Sequence, residues 1–164
     1  MIPLPLVVPE MPKISRADFA RVVRNPATGY FSLHAIAFFD AGEKISDFTA
    51  DLIFDKPQKH SLQISLQKHI LLLPECLQYT NHSCDPNIFF NTDRMEVVAV
   101  KAIQPDDELC FFYPSTEWKM AEPFSCNCGS KACVGHISCA ASLSQTVAQQ
   151  YQLNSFIIQL LANR

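Results

Sequence analysis

An excess of positive charge is missing from this chain: 13 Lys and Arg stand against 16 Asp and Glu, a formal net charge of −3 over 164 residues. Without a basic footprint, direct readout of nucleic acid is not expected. No stretch approaches the ~20 apolar residues of a membrane-spanning helix, so no membrane is expected as a partner. Residues 2–8 are apolar, but Pro3 and Pro5 interrupt them and no basic residue precedes them, unlike a secretory signal. Residues 1–14 therefore read as an extended lead-in, and the expected location is cytoplasmic or nuclear. There, the seven cysteines point to metal or buried thiols rather than to disulfides. Internal repeats and low-complexity segments are also missing.

What the chain does have is apolar content. With 48% hydrophobic and 18% charged residues, it has the size and composition of one soluble globular domain. Residues 15–24 open as a turn of helix and close as a strand, and residues 25–29 are a loop by composition. Residues 30–39 read as a strand region closed by Asp40-Ala41-Gly42, and residues 44–49 as a second short strand. Residues 61–66 alternate at period two and residues 69–73 follow closely, which predicts a hairpin or meander ended by Pro74. Pro74 to Tyr79 predicts one or two helical turns. Residues 87–91, 95–100 and 108–112 are three more strands, so the fold class is mostly β, built of several small sheets with short helices. Beyond Cys139, Leu143, Val147 and Tyr151 fall at helical spacing, and Phe156, Ile157, Leu160 and Leu161 repeat the pattern, predicting C-terminal helices broken or capped near Asn154.

Two polar stretches carry the chemistry. Asn81-His82-Ser83-Cys84-Asp85-Pro86-Asn87 contains amide, imidazole, hydroxyl, thiol and carboxylate, and its Asp-Pro step favours a turn; it reads as a loop presenting polar groups. Cys126, Cys128 and Cys133, at C-x-C-x4-C spacing, leave a tetrahedral metal one ligand short, with Cys84 the first candidate for the fourth and Cys139 the spare. Four soft thiolates select zinc, and a site closed by them is structural rather than catalytic. The alternative, buried free thiols, suits Cys76 and Cys110 inside apolar segments. It suits the 126–133 trio poorly, because their neighbours are Asn, Gly, Ser and Lys. Among Asp106, Asp107 and Glu108, solvated turn residues are expected, with Glu108 bracing the following strand.

In this order, the pieces resemble the SET-domain methyltransferases with the cysteine-rich tail called post-SET. Residues 81–87 match that family's central loop, and Asp107-Glu108-Leu109-Cys110-Phe111-Phe112-Tyr113 matches the segment ending in its active-site tyrosine. C-x-C-x4-C matches the tail, and Gly29 with Ala41-Gly42-Glu43-Lys44-Ile45 looks like the opening strands. The resemblance implies a SET-like β-clip fold, with a SET domain at 15–118, a post-SET zinc segment at 119–140 and C-terminal helices at 141–164. It implies S-adenosylmethionine contacted by Gly29, Tyr30, Asn81, His82 and Tyr113, with the contact at His82 running through the main chain. It implies a structural Zn2+ on Cys84, Cys126, Cys128 and Cys133, with Tyr113 and Phe111 at the reacting amine. Tyr113 would orient the amine. Phe111 stands where relatives carry Phe or Tyr, and lacking a hydroxyl it would leave room for di- or trimethylation.

The pattern also departs from the family. Phe31 replaces the second glycine of the opening motif, Leu77-Gln78-Tyr79-Thr80 precedes the loop in place of an Arg or Asn, and no cysteine cluster lies ahead of the domain. The expected reaction is methyl transfer to the ε-amine of a protein lysine, histone or non-histone. The alternatives are a small-molecule substrate or a non-catalytic SET-like binding protein. The sequence does not fix the oligomeric state.

Overall fold

The computed structural model describes residues 18–164. The extended lead-in expected at 1–14 and the helical start expected at 15–17 lie outside these residues. Strands β1 (Ala20–Arg24) and β2 (Phe31–Ala35) pair antiparallel. Their turn is local chemistry: the Asn25 side-chain oxygen accepts the N–H groups of Ala27 and Thr28, and Gly29 takes a φ of +75° that most side chains avoid.

The strand expected at 44–49 is in fact two, β3 (Lys44–Asp47) and β4 (Thr49–Phe54), divided at Phe48. Phe48 is buried edge-on against Phe90, ring centroids 5.6 Å apart, and its N–H donates to the Met95 carbonyl. The chain is anchored there and leaves one sheet for another. β4 escaped the sequence reading because its apolar residues do not mark a buried face: Leu52 and Ile53 are both exposed.

The expected hairpin is present as β5 (Leu62–Ser65) and β6 (Lys68–Leu73), and β6 is the middle strand of the order β4-β6-β5. Pro74 then leads into a 3-10 turn, Glu75–Tyr79. The next strand, β7 (Asn81–His82), corrects the reading of residues 81–87 as loop throughout. Backbone pairing does not require apolar side chains. β8 (Ile88–Asn91) and β9 (Glu96–Ala99) complete the sheet β3-β9-β8. β10 (Cys110–Phe111) runs parallel to β7 and brings the segment that follows it back beside the polar loop.

The tail forms a small antiparallel pair, β11 (Phe124–Ser125) and β12 (His136–Ile137). Leu143, Val147 and Tyr151 pack on one cluster as their spacing predicted, but the helix among them, α1 (Gln145–Ala148), is a single turn capped by the Ser144 hydroxyl. Helix α2 (Ser155–Ala162) starts after Asn154, where a break was expected. The Asn154 side chain does not cap it. Buried, it accepts from the N–H of Thr92 and donates to the carbonyls of Phe90 and Ser115, tying the tail to the sheets. Among the described residues, no helix is long and apolar enough to cross a membrane.

Two apolar clusters result. The larger fills the space between the sheets with Leu33, Phe48, Ile70, Leu77, Phe90, Ile103 and Leu109. The smaller gathers Cys84, Phe112, Cys126 and Ile137, with Phe112 stacked on Tyr151 at 3.6 Å. The parallel β7–β10 pair lies where the two clusters meet, because Phe111 belongs to the first and Phe112 to the second.

Candidate active site

A cavity of about 670 Å3 opens over β7 and β10, within the range of ligand pockets. Its inner wall is aromatic: Phe90, Phe111, Tyr113 and Phe124 line it. The rings of Phe111 and Tyr113 stand 4.7 Å apart, and those of Phe111 and Phe90 4.8 Å apart. Toward the mouth lie Tyr30, Lys59 and His60.

Tyr113 is held at both ends. Its hydroxyl donates to the Thr80 carbonyl at 3.2 Å, and its backbone N–H donates to His82 Nδ1 at 3.2 Å. Burial raises the phenol's pKa, with nearby negative charge adding to the effect, so the hydroxyl keeps its proton and remains a donor. Because an N–H can only donate, His82 Nδ1 must be the bare nitrogen and Nε2 carries the ring proton. Nε2 lies 3.3 Å from Cys84 Sγ. Burial lowers the His82 pKa to about 4, consistent with a neutral imidazole. The ring thus bridges the tyrosine backbone and the cysteine cluster.

The four sulfurs of Cys84, Cys126, Cys128 and Cys133 all lie within 4.8 Å of one another, and Cys84 and Cys126 are 3.8 Å apart. A tetrahedral zinc with bonds of about 2.3 Å needs sulfurs about 3.8 Å apart, so this set could hold zinc. Burial raises the Cys84 and Cys126 thiol pKa values, and a cation is what would offset the cost of turning buried thiols into thiolates. Cys139 is outside the cluster, beside the Ser142 hydroxyl at 3.6 Å.

The structure brings Tyr30, Asn81, His82, Phe111 and Tyr113 to one cavity, while Gly29 serves the preceding turn and is not in the lining. The Asn81 amide donates to the Phe31 carbonyl at 3.0 Å and to Glu108 Oε1 at 2.9 Å. Glu108 therefore braces the strand as expected. Asn87 extends the β7–β10 pairing, its side chain donating to the Glu108 carbonyl and accepting from the Cys110 N–H.

One lining residue had no sequence signal. Glu117 is buried, and its Oε1 accepts from the Gln63 backbone N–H at 2.9 Å and the Thr116 hydroxyl at 3.1 Å. Burial pushes its pKa up to about 7, and these two hydrogen bonds oppose the rise without cancelling it. Between its ordinary 4.5 and about 7, the folded state holds a proton that the unfolded state has lost, so this group's contribution to stability falls as pH rises through that window. The fall is at most about 3 kcal/mol at 1.36 kcal/mol per pKa unit. Thermal unfolding of the native protein and Glu117→Gln across pH 4 to 8 is expected to show a slope in the native protein that the variant lacks.

Several small sheets with few short helices, and a cysteine cluster near the C-terminus, are consistent with the SET fold. The family model described as SET domain matches residues 6–114, and the chain belongs to this methyltransferase family. A relative from Aspergillus flavus, "Methyltransferase flvH", is 32% identical over 159 residues, covering 96% of this chain and 89% of the relative. In structure the chain is similar to KRYPTONITE in complex with mCHG DNA and SAH, with a TM-score of 0.55 and 19% identity over 74% of this chain. It is also similar to KRYPTONITE in complex with mCHH DNA, H3(1-15) peptide and SAH, with a TM-score of 0.51 and 20% identity over the same share. The chain spans 29% and 30% of those two structures' lengths.

Proposed function

We propose that this chain transfers a methyl group from S-adenosylmethionine to an amine nitrogen, in the first place the ε-amine of a lysine presented by a histone or non-histone protein. The observation that carries the proposal is Tyr113, a protonated hydroxyl fixed at both backbone and side chain against the aromatic wall of an open cavity. Displacement at a methyl carbon needs alignment and a dry site more than it needs a strong acid. Tyr113 supplies alignment, and Phe111, Phe90 and Phe124 exclude water and suit both an alkyl stem and a cationic nitrogen.

The donor, when bound, supplies the methyl group as an electrophilic sulfonium carbon, and the SAH named in the two KRYPTONITE complexes is in keeping with it. Asn81 and His82 have their side chains engaged elsewhere, so their part is main-chain contact: β7 pairs only with β10 among the described strands, and both residues line the cavity. Tyr30 is exposed and lines the cavity, which supports a role in covering the donor. Residues 15–118 form the catalytic domain in this proposal. Residues 119–140 are a tail closed by zinc on Cys84, Cys126, Cys128 and Cys133, whose role is to hold Cys84 and hence the His82–Tyr113 link.

A small amine is the second reading. Glu117 favours it, because a carboxylate inside the cavity can be reached by a compact cation without a surrounding peptide. Methyl-labelled S-adenosylmethionine incubated with the zinc-loaded protein and an extract of its source separates the two. Label in acid-precipitable protein supports lysine, label in the soluble fraction supports a small amine, and no transfer to either rejects the proposal. Phe111 adds a further expectation. Intact mass of the product after exhaustive reaction should show two or three added methyl groups, and Phe111→Tyr should shift the product to one, since the added hydroxyl fills space beside Tyr113. A monomethyl product from the native protein would contradict this role for Phe111.

A further inference from the structure

We infer that Glu117 is the residue that receives the substrate amine, its second carboxylate oxygen accepting a hydrogen bond and then a proton from an incoming ammonium. This deepens the amine-methyltransferase reading and rests on it.

The geometry divides the carboxylate into two halves. Oε1 takes both hydrogen bonds, from the Gln63 N–H and the Thr116 hydroxyl, and so clamps the 116–118 segment to β5. Gln63 completes the clamp by accepting the Trp118 N–H at 2.8 Å. Oε2 has no hydrogen-bond partner among the described residues, and Glu117 lines the cavity together with Tyr113.

The clamp alone does not account for a glutamate. A glutamine would offer the same Oε1 acceptor without burying an ionisable group, whose cost shows in a pKa near neutrality. A desolvated carboxyl in a cleft, short of one partner, marks a site for a cation. The other titratable or charged side chains lining this cavity, outside the cysteine cluster, are Tyr30, Lys59, His60, His82, Tyr113 and Glu122. None of them forms a salt bridge with Glu117, and His82 is occupied by Tyr113 and Cys84.

The chemistry fits what the reaction lacks. An ammonium has no lone pair, so it must lose a proton before nitrogen can attack carbon. As one N–H bond breaks, its electron pair stays on nitrogen and the proton passes to Oε2, leaving a neutral amine beside a neutral carboxyl. A base that titrates near neutral pH suits this exchange, and the apolar wall lowers the cost of passing from the ammonium–carboxylate pair to the uncharged one. The ligand class is thus a primary or secondary alkylamine that enters as its cation, whether on a lysine side chain or on a small molecule.

The test uses the zinc-loaded chain carrying 13C-labelled glutamate carboxyls and n-butylammonium as the probe, with n-butanol as the uncharged control. The Glu117 resonance, assigned by its absence from Glu117→Gln, should titrate near neutral pH. Butylammonium should move its midpoint downward by a unit or more, and butanol should leave it in place. Glu117→Gln, which keeps the Oε1 clamp, should bind butylammonium about tenfold to a hundredfold more weakly, the loss of one charge-assisted hydrogen bond. A midpoint that butylammonium does not move, or equal affinity in the two proteins, overturns the inference. Binding of S-adenosylmethionine to the same samples is read separately. Its absence would reject the methyltransferase reading while leaving the amine result to stand or fall by itself.

Discussion

Stripping the metal, or replacing Cys84 with serine, is expected to unfold the tail while leaving the main β core in place. The tail has few other means of staying folded. β11 and β12 are two residues each, and two of the four buried residues in their apolar cluster, Cys84 and Cys126, belong to the cysteine site, beside Phe112 and Ile137. Metal binding to such a site is worth about 10 kcal/mol or more in small zinc domains, and here that energy is available only to the folded tail. The larger cluster, with Leu33, Ile70, Phe90 and Leu109 at its centre, does not include the cysteine site. Hydrogen exchange should therefore become fast at Cys126, whose N–H donates to the Gly135 carbonyl, and at Val134, whose N–H points at Cys84 Sγ. It should stay slow in β8 and β9. The Tyr113 amide should lose protection with the tail, because its acceptor His82 is held by Cys84. Unchanged protection at Cys126 and Tyr113 after complete removal of metal would show that the cluster is not a structural metal site.

Tyr113→Phe is expected to lower kcat by about 10²–10³-fold, the range found when one positioned donor is removed from an active site. The fold should barely notice. The hydroxyl makes one hydrogen bond, to the Thr80 carbonyl, worth about 1 kcal/mol in stability, and the ring's contacts with Phe111, His82 and Phe124 do not involve it. Comparing kcat with the unfolding midpoint of the same preparation separates the two effects. Turnover close to that of the native protein would remove Tyr113 from the chemistry.

How much of this could be read from the sequence depended on distance along the chain. The cysteine tail was legible because Cys126, Cys128 and Cys133 sit among polar neighbours that give a buried thiol no reason to be there. The β5–β6 hairpin was legible because its pattern and its turn are local. The parallel pairing of β7 with β10 was not, since nothing in Asn81-His82 announces a partner near residue 110. Asn154 was legible as a break or cap between helices, but its side chain is there for Thr92 and Phe90, more than sixty residues away. Glu117 is the clearest case. In Ser115-Thr116-Glu117-Trp118 it reads as an ordinary polar position, and only Gln63, 54 residues earlier, turns it into a buried carboxyl. Propensity and pattern carry no information about a partner supplied by another sheet.

The most direct measurement is calorimetric titration of the zinc-loaded protein with S-adenosylmethionine, before any substrate is known. One site per chain is expected, with binding lost when the metal is removed and retained in Glu117→Gln. A folded, zinc-loaded protein that takes up no S-adenosylmethionine would contradict the assignment of this cavity to methyl transfer.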